Sequence, residues 1–213
     1  MDPGVLIGPW RSVFLSNAFY IESAIDELAY FAKIEPLEYR KKLIGDNPRI
    51  QNIIEIIAKQ SDWSKSLPPG QGKGIALFHE LDLVIAQVAT VSVSPDSKLN
   101  IMKIDCVVDL GSYINPSIVK AQIEGGIVMG ISSTLKEEII FEEGKASHNN
   151  FDTYKIAKLK DIPEIEITLL ESDANAKGVD CGVFPVAPSI TNAIFAATGK
   201  RIRRLPIGKK KLT

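Results

Sequence analysis

The sequence predicts an α+β fold: a mostly antiparallel sheet with helices packed on it. Three observations lead there. Apolar residues recur at helical spacing through the first third of the chain. β-branched runs with alternation then take over. Two stretches rich in glycine or other small residues follow, at helical length, with strand patterns around them. The change in pattern falls near the SKSLPPGQGKG stretch, so residues 1–66 read as a helical segment and residues 67–213 as an α+β portion. The two could form one continuous domain.

The elements follow in order. MDPGVLIGPWRS is an extended lead-in with two prolines and two glycines. Ser16 or Asn17 can cap a helix on which Phe19, Ile21, Ala24, Ile25, Leu28 and Phe31 mark the apolar face. Pro36 opens a second helix, PLEYRKKLIG, at a first-turn position where its missing N–H costs nothing. PRIQNIIEIIAKQSDW is a third helix, with Ile50, Ile53, Ile54, Ile57 and Ala58 on one face. SKSLPPGQGKG reads as a loop. AQVATVSVS, the turn PDSK and LNIMKIDCVVD read as a β-hairpin. INPSIVKAQIEGGIVMGISSTL is a helix carrying Gly125, Gly126 and Gly130, each costing about 1 kcal/mol against alanine. EEIIFEEGKA is a strand and turn, and IPEIEITLLES a strand. PSITNAIFAATGKR closes the set as a small-residue helix ending at Gly199, with cations in its last turn.

Composition narrows the function classes. The chain has 213 residues, a formal net charge of −1, 45% hydrophobic and 24% charged residues. That balance belongs to ordinary globular proteins and gives no electrostatic reason to expect nucleic acid. The one basic cluster, KRIRRLPIGKKK, reads as a solvated end or a subunit contact. No run suggests a membrane span, which needs about 18 apolar residues, and the lead-in lacks the pattern of a signal peptide. The chain as given is therefore expected in the cytoplasm. Two cysteines and two histidines are too few for a zinc site of ordinary spacing, and no side-chain metal site is expected.

Four stretches could carry chemistry. In AQIEGGIVMG, Gln122 offers an amide beside glycines that admit a close ligand, or the glycines serve a helix–helix contact. In GVDCGVFP, Asp180 could be a general base and Cys181 a nucleophile, or the stretch is only a turn. In DLGSYINP, Asp109 and Asn115 flank a strand-to-helix turn, and Asn115 before Pro116 is a good helix cap. In GPWRSV, Trp10 and Arg11 could hold an anionic group. His79 and His148 lie far apart, neither in a ligand cluster. A phosphate loop, a serine nucleophile elbow and a triad are all missing.

These stretches occur in an order that carries a resemblance. GPWRSV, NAFYIESAIDELA, PLEYRKKL, DLGSYINPSIVKAQIEGGIVMGIS, NFDTYKI and GVFPVAPSITNAIFAATGKRIRRLP together resemble the C-terminal part of the molybdopterin-binding large subunit of the xanthine oxidase / aldehyde oxidase family. The branch most similar is that of the isoquinoline 1-oxidoreductase β-subunit, and the match runs from about residue 8 to 207. The resemblance implies the second molybdopterin-binding domain of a molybdenum hydroxylase. Such enzymes oxidise N-heterocycles or aldehydes with water as the oxygen source, using molybdenum on molybdopterin, in this branch as the cytosine dinucleotide. It implies as partners the N-terminal remainder of the large subunit and an iron–sulfur small subunit, and a periplasmic location is the alternative for a complete enzyme.

By the same resemblance Gln122 hydrogen-bonds the pterin, with Gly125 and Gly126 beside it. The family's base is the glutamate of a GVGEPG turn, and here the sequence departs. Counted back from PVAP, Asp180 takes the glutamate's place in a turn one residue shorter. Counted forward from Gly178, Cys181 does. Asp180 is the better chemical stand-in, with a shorter reach. Family subunits are several times longer, so this chain carries one wall of a two-walled site. It is expected to be inactive alone, or else to be a non-catalytic module that keeps the fold. A bare former interface favours self-association.

Overall fold

The computed structural model describes residues 14–80, 83–148, 150, 152–175, 180–208 and 211–212. Three helices come first: α1 (Phe14–Ala32), α2 (Pro36–Ile44) and α3 (Pro48–Gln60). Strands β1 (Gln71–Glu80), β2 (Leu83–Val93) and β3 (Leu99–Asp109) follow, then α4 (Pro116–Leu135) and a small hairpin of β4 (Phe141–Glu142) with β5 (Lys145–Ala146). β6 (Glu164–Leu170), a 3-10 turn (Asp180–Val183) and α5 (Val186–Thr198) complete the described elements. The main sheet runs β1-β2-β3-β6. β1–β2 and β2–β3 are antiparallel and β3–β6 is parallel, so the predicted α+β class with a mostly antiparallel sheet is what forms.

Several boundaries differ from the sequence reading, each for a local reason. α1 starts at Phe14, ahead of the predicted cap. α2 is capped by Glu35, whose carboxylate accepts from the backbone N–H of Leu37 and Glu38. GQGKG belongs mainly to β1, not to a loop, because its glycines lie under a helix (below). EEII is not a strand, since only Phe141–Glu142 find a partner. The cations after α5 lie beyond its left-handed Gly199 cap (φ 75°), outside the last turn. Arg201 instead sits 3.4 Å over the Phe195 ring. The three arginines of the basic stretch are paired, Arg201 with Asp26, Arg203 with Glu27 and Arg204 with Glu138.

Both sheet faces are covered. α3 lays Ile50, Ile53, Ile54 and Ile57 against Ile75, Val84, Ala86, Val88 and Val107, following the predicted face. The other face carries α4 and α5: Ile123, Ile127 and Ile131 of one, and Ile190, Ala193 and Ile194 of the other, meet Ile85, Ala89, Ile104 and Val108. Residues Cys181–Thr198 do reach the length and composition of a membrane span, contrary to the sequence reading. Yet 78% of that stretch is buried within the fold, so it is a core helix.

α1 is partly inverted relative to expectation: Phe19 of the predicted face is buried and Ile25 half-buried, but the rest turns outward. Its buried positions are Ala18, Phe19, Glu22, Asp26 and Ala29, whereas Tyr20, Ile21, Leu28 and Phe31 are exposed, Phe31 by 73%. The cause is a buried ion network. Arg40 donates from Nε to Glu22 (3.0 Å) and from a terminal nitrogen to the Glu22 carbonyl (3.2 Å), and lies 3.7 Å from Asp26. Arg201 pairs with Asp26 at 2.6 Å. Glu22 also accepts the Leu77 backbone N–H (2.9 Å), and Asn192 donates to the Ile75 carbonyl (3.2 Å). The outer edge of β1 is thus closed by side chains, which removes a template for strand addition.

Candidate functional site

Two of the four stretches resolve into structure. Asn115 caps α4, its side chain accepting from Ser117 N (3.1 Å) and Ile118 N (3.2 Å). Asp109 is held by Arg49 (2.5 and 2.7 Å), by the Gly111 N–H (2.9 Å) and by Ser172 Oγ (2.8 Å). Burial pushes its carboxyl up, but these donors outweigh burial and hold it below its ordinary value. Neither residue faces a ligand site. Trp10 and Arg11 lie outside the described residues. His79 is exposed on β1, and His148 lies 3.1 Å from the hydroxyl of its neighbour Ser147. Among the described residues no group of three or more His, Cys, Asp or Glu could hold a metal.

The other two stretches are brought together. α4 buries Val119, Ile123, Ile127 and Ile131 and turns Ile118, Gln122, Gly125 and Met129 outward. The 3-10 turn is seated on its flank. A Cβ on Gly182 would overlap the Ile123 carbonyl oxygen, and one on Gly126 would lie 3.2 Å from the Val183 nitrogen. The glycines at 126 and 182 therefore serve the close approach of turn and helix. Cys181 is fully buried, which argues against a nucleophile there. Asp180 opens the turn in the backbone, while its side chain lies outside the described residues.

Gly125 has a different role. Nothing lies within 4 Å of where its Cβ would stand. No packing among the described residues requires glycine there, and the helix is weakened by keeping it. Gln122, one turn earlier on the same outward face, makes no hydrogen bond among the described residues. The outward face of α4 thus offers an open glycine and, one turn before it, an amide with no hydrogen bond among the described residues.

Sequence reasoning missed Gln87. It lies on β2, fully buried, on the face shared by Ile85 and Ala89. Its Nε2 donates to the Gly182 carbonyl at 2.8 Å and lies 3.9 Å from Cys106 Sγ. A glutamine interrupting the apolar alternation of VIAQVATV was the available signal.

Fold and site together define an α+β cofactor-binding domain, with an open helix face backed by a short turn. Comparison with known proteins agrees. Residues 54–163, just over half of the chain, match the molybdopterin cofactor-binding domain family. The chain is 31% identical to the β-subunit of isoquinoline 1-oxidoreductase from Brevundimonas diminuta over 89% of its own length and 25% of that protein. It is 32% identical to a nicotinate dehydrogenase polypeptide of Pseudomonas putida, covering 91% of this chain and 18% of that one. Among solved structures, quinoline 2-oxidoreductase from Pseudomonas putida 86 aligns with a TM-score of 0.55 and 26% identity, covering 61% of this chain and 18% of that chain. The chain belongs to the molybdopterin cofactor-binding domain family of the molybdenum hydroxylases, and it spans a quarter or less of these curated relatives.

Proposed function

We propose that this chain forms one wall of the cofactor site in the large subunit of a molybdenum hydroxylase acting on N-heterocycles or aldehydes. The open Gly125 beside the Gln122 amide carries that reading, because nothing among the described residues gives a reason for either. Gln122 would hydrogen-bond the pterin, and Gly125 would let the ring system approach the helix backbone. Gly126 would keep the turn against the helix. Asp180 would accept the proton as general base. When bound, the molybdopterin, as the cytosine dinucleotide, supplies the redox chemistry that no side chain here can perform. The other wall, and the electron route through an iron–sulfur subunit, would come from the partner polypeptides.

The test is reconstitution. Co-expression with the remaining large-subunit portion and the iron–sulfur subunit is expected to give turnover of an N-heterocycle or an aldehyde. Asp180→Ala should lower it by about 100-fold or more, and Gln122→Ala should lower bound molybdenum. Stoichiometric molybdenum held tightly by the isolated chain would contradict the one-wall reading. A complex that retains cofactor yet never turns over would instead mark a non-catalytic module, the outcome favoured by the shortened turn at Asp180.

The outward apolar face of α1 fits the same proposal. Tyr20, Ile21, Leu28 and Phe31 form a stripe of the kind that permanent interfaces bury. In the complete subunit it would be covered by the remaining large-subunit polypeptide. In the isolated chain it is expected to drive self-association, visible by light scattering, and Leu28→Glu with Phe31→Glu should return a monomer. A wild-type chain that stays monomeric at high concentration would remove the argument.

A further inference from the structure

Gln87 is buried at 0% exposure, and its side chain is only half satisfied. Nε2 donates to the Gly182 carbonyl at 2.8 Å, whereas Oε1 has no partner. A buried orphan acceptor costs at least as much as one neutral hydrogen bond returns. The amide therefore adds nothing net to stability. Leucine or methionine would fill the same space among Ile85, Ala89 and Cys106 and remove the orphan Oε1, at the cost of the donor to the Gly182 carbonyl. What the glutamine supplies is direction. It reaches from the centre of the sheet to one carbonyl of the turn that carries Asp180.

The turn's other ties differ in kind. Gly182 rests against the Ile123 carbonyl and Phe184 donates its N–H to the Cys181 carbonyl (3.1 Å). The Phe184 ring packs on Phe78 at 4.6 Å between centroids. These contacts press the turn inward and fix its downstream end. Gln87 alone among the described side chains hydrogen-bonds Gly182, two residues after Asp180. An aspartate is one methylene shorter than the glutamate of related enzymes, so its useful reach depends on how the turn is seated. A displacement of about 1 Å can cost about 100-fold in rate.

We propose that Gln87 is a positioning residue: its amide pins the Gly182 carbonyl and so seats, against α4, the turn that Asp180 opens. The inference rests on the reading of Asp180 as the base, but the pinning is testable without activity. Cys181 lies inside the turn and Cys106 lies on β3 directly opposite Gln87, and both are fully buried. Burial pushes the Cys106 thiol up and the Gln87 amide only partly offsets it, so losing Gln87 should not speed Cys106, and any rise there reports general loosening.

The experiment follows iodoacetamide labelling of the intact chain by peptide mass mapping, for wild type, Gln87→Leu and Gln87→Met. Both thiols should be protected in wild type. In either variant the Cys181 rate should rise about tenfold or more through local opening of the turn, while Cys106 stays within about twofold. An unchanged Cys181 rate overturns the proposal. So does a parallel rise at both cysteines, which would show general loosening. In the reconstituted enzyme Gln87→Met should lower kcat with KM held. If labelling behaves as expected but that enzyme has no Asp180-dependent turnover, the pinning stands and the base assignment fails.

Discussion

Replacing Arg40 with methionine is expected to cost the chain about 3–5 kcal/mol, the range for removing one partner of a buried ion network. Arg40 is 2% exposed, and Glu22 and Asp26 are 4% exposed. Without the guanidinium, the Glu22 carboxylate keeps the Leu77 N–H among the described residues, and the Pro36 and Glu22 carbonyls each lose one donor, the latter retaining Asn192. Asp26 keeps Arg201. The damage therefore centres on Glu22, which makes a sharper expectation possible. Glu22→Gln combined with Arg40→Met should unfold at higher urea than Arg40→Met alone, because a neutral amide still accepts from Leu77 and strands no charge. If the double variant is the less stable, hydrogen bonding and not buried charge governs the site. The network matters beyond stability, because it sets the rotation of α1. Loss of Arg40 removes the reason for the acids to face inward and the apolar stripe to face out.

That inversion shows where sequence reading stopped. The apolar periodicity of α1 was correct as a helix signal, and α3 obeyed the same rule with Ile50, Ile53, Ile54 and Ile57 buried. On α1 the rule failed because Glu22 and Asp26 find cations about 18 and 175 residues away in sequence, a pairing that no local pattern displays. The strand order was legible only in part. The β2–β3 hairpin was plain from its turn, but β6 joining β3 in parallel depends on a crossover through α4. The site divides in the same way. Gln122, Gly125 and the turn at Asp180 were visible as motifs, and their adjacency follows from Gly182 meeting Ile123. Gln87 went unseen because a polar residue in a strand is read as facing water until its neighbours are known. Asn115 and Asp109 were ambiguous in sequence, and packing resolves them as a cap and an ion-pair anchor.

Gly74→Ala and Gly125→Ala are expected to move stability in opposite directions. On β1, a Cβ at Gly74 would overlap the Ala193 nitrogen and the Ser189 carbonyl oxygen of α5 and lie 2.6 Å from the Asn192 carbonyl carbon. Every one of these is backbone, so no side chain can rotate away. α5 would have to lift off the sheet, breaking the seat of Ile190 and Ala193 in the core. Overpacking commonly costs about 1–3 kcal/mol, and a rigid backbone obstacle belongs at the upper end, so a loss of about 3 kcal/mol or more is expected, read as a lowered urea midpoint or as insoluble chain. At Gly125 the new methyl meets nothing within 4 Å, and alanine is favoured over glycine in a helix interior by about 1 kcal/mol. The isolated chain should therefore gain about 0.5–1 kcal/mol. In the complete subunit the same methyl would stand between α4 and the pterin, and bound molybdenum should fall. A Gly125→Ala subunit that is both more stable and fully loaded would mean the open helix face is not the cofactor's. A gain in the chain paired with a loss in the holoenzyme would show that this glycine is kept for a group the chain does not contain.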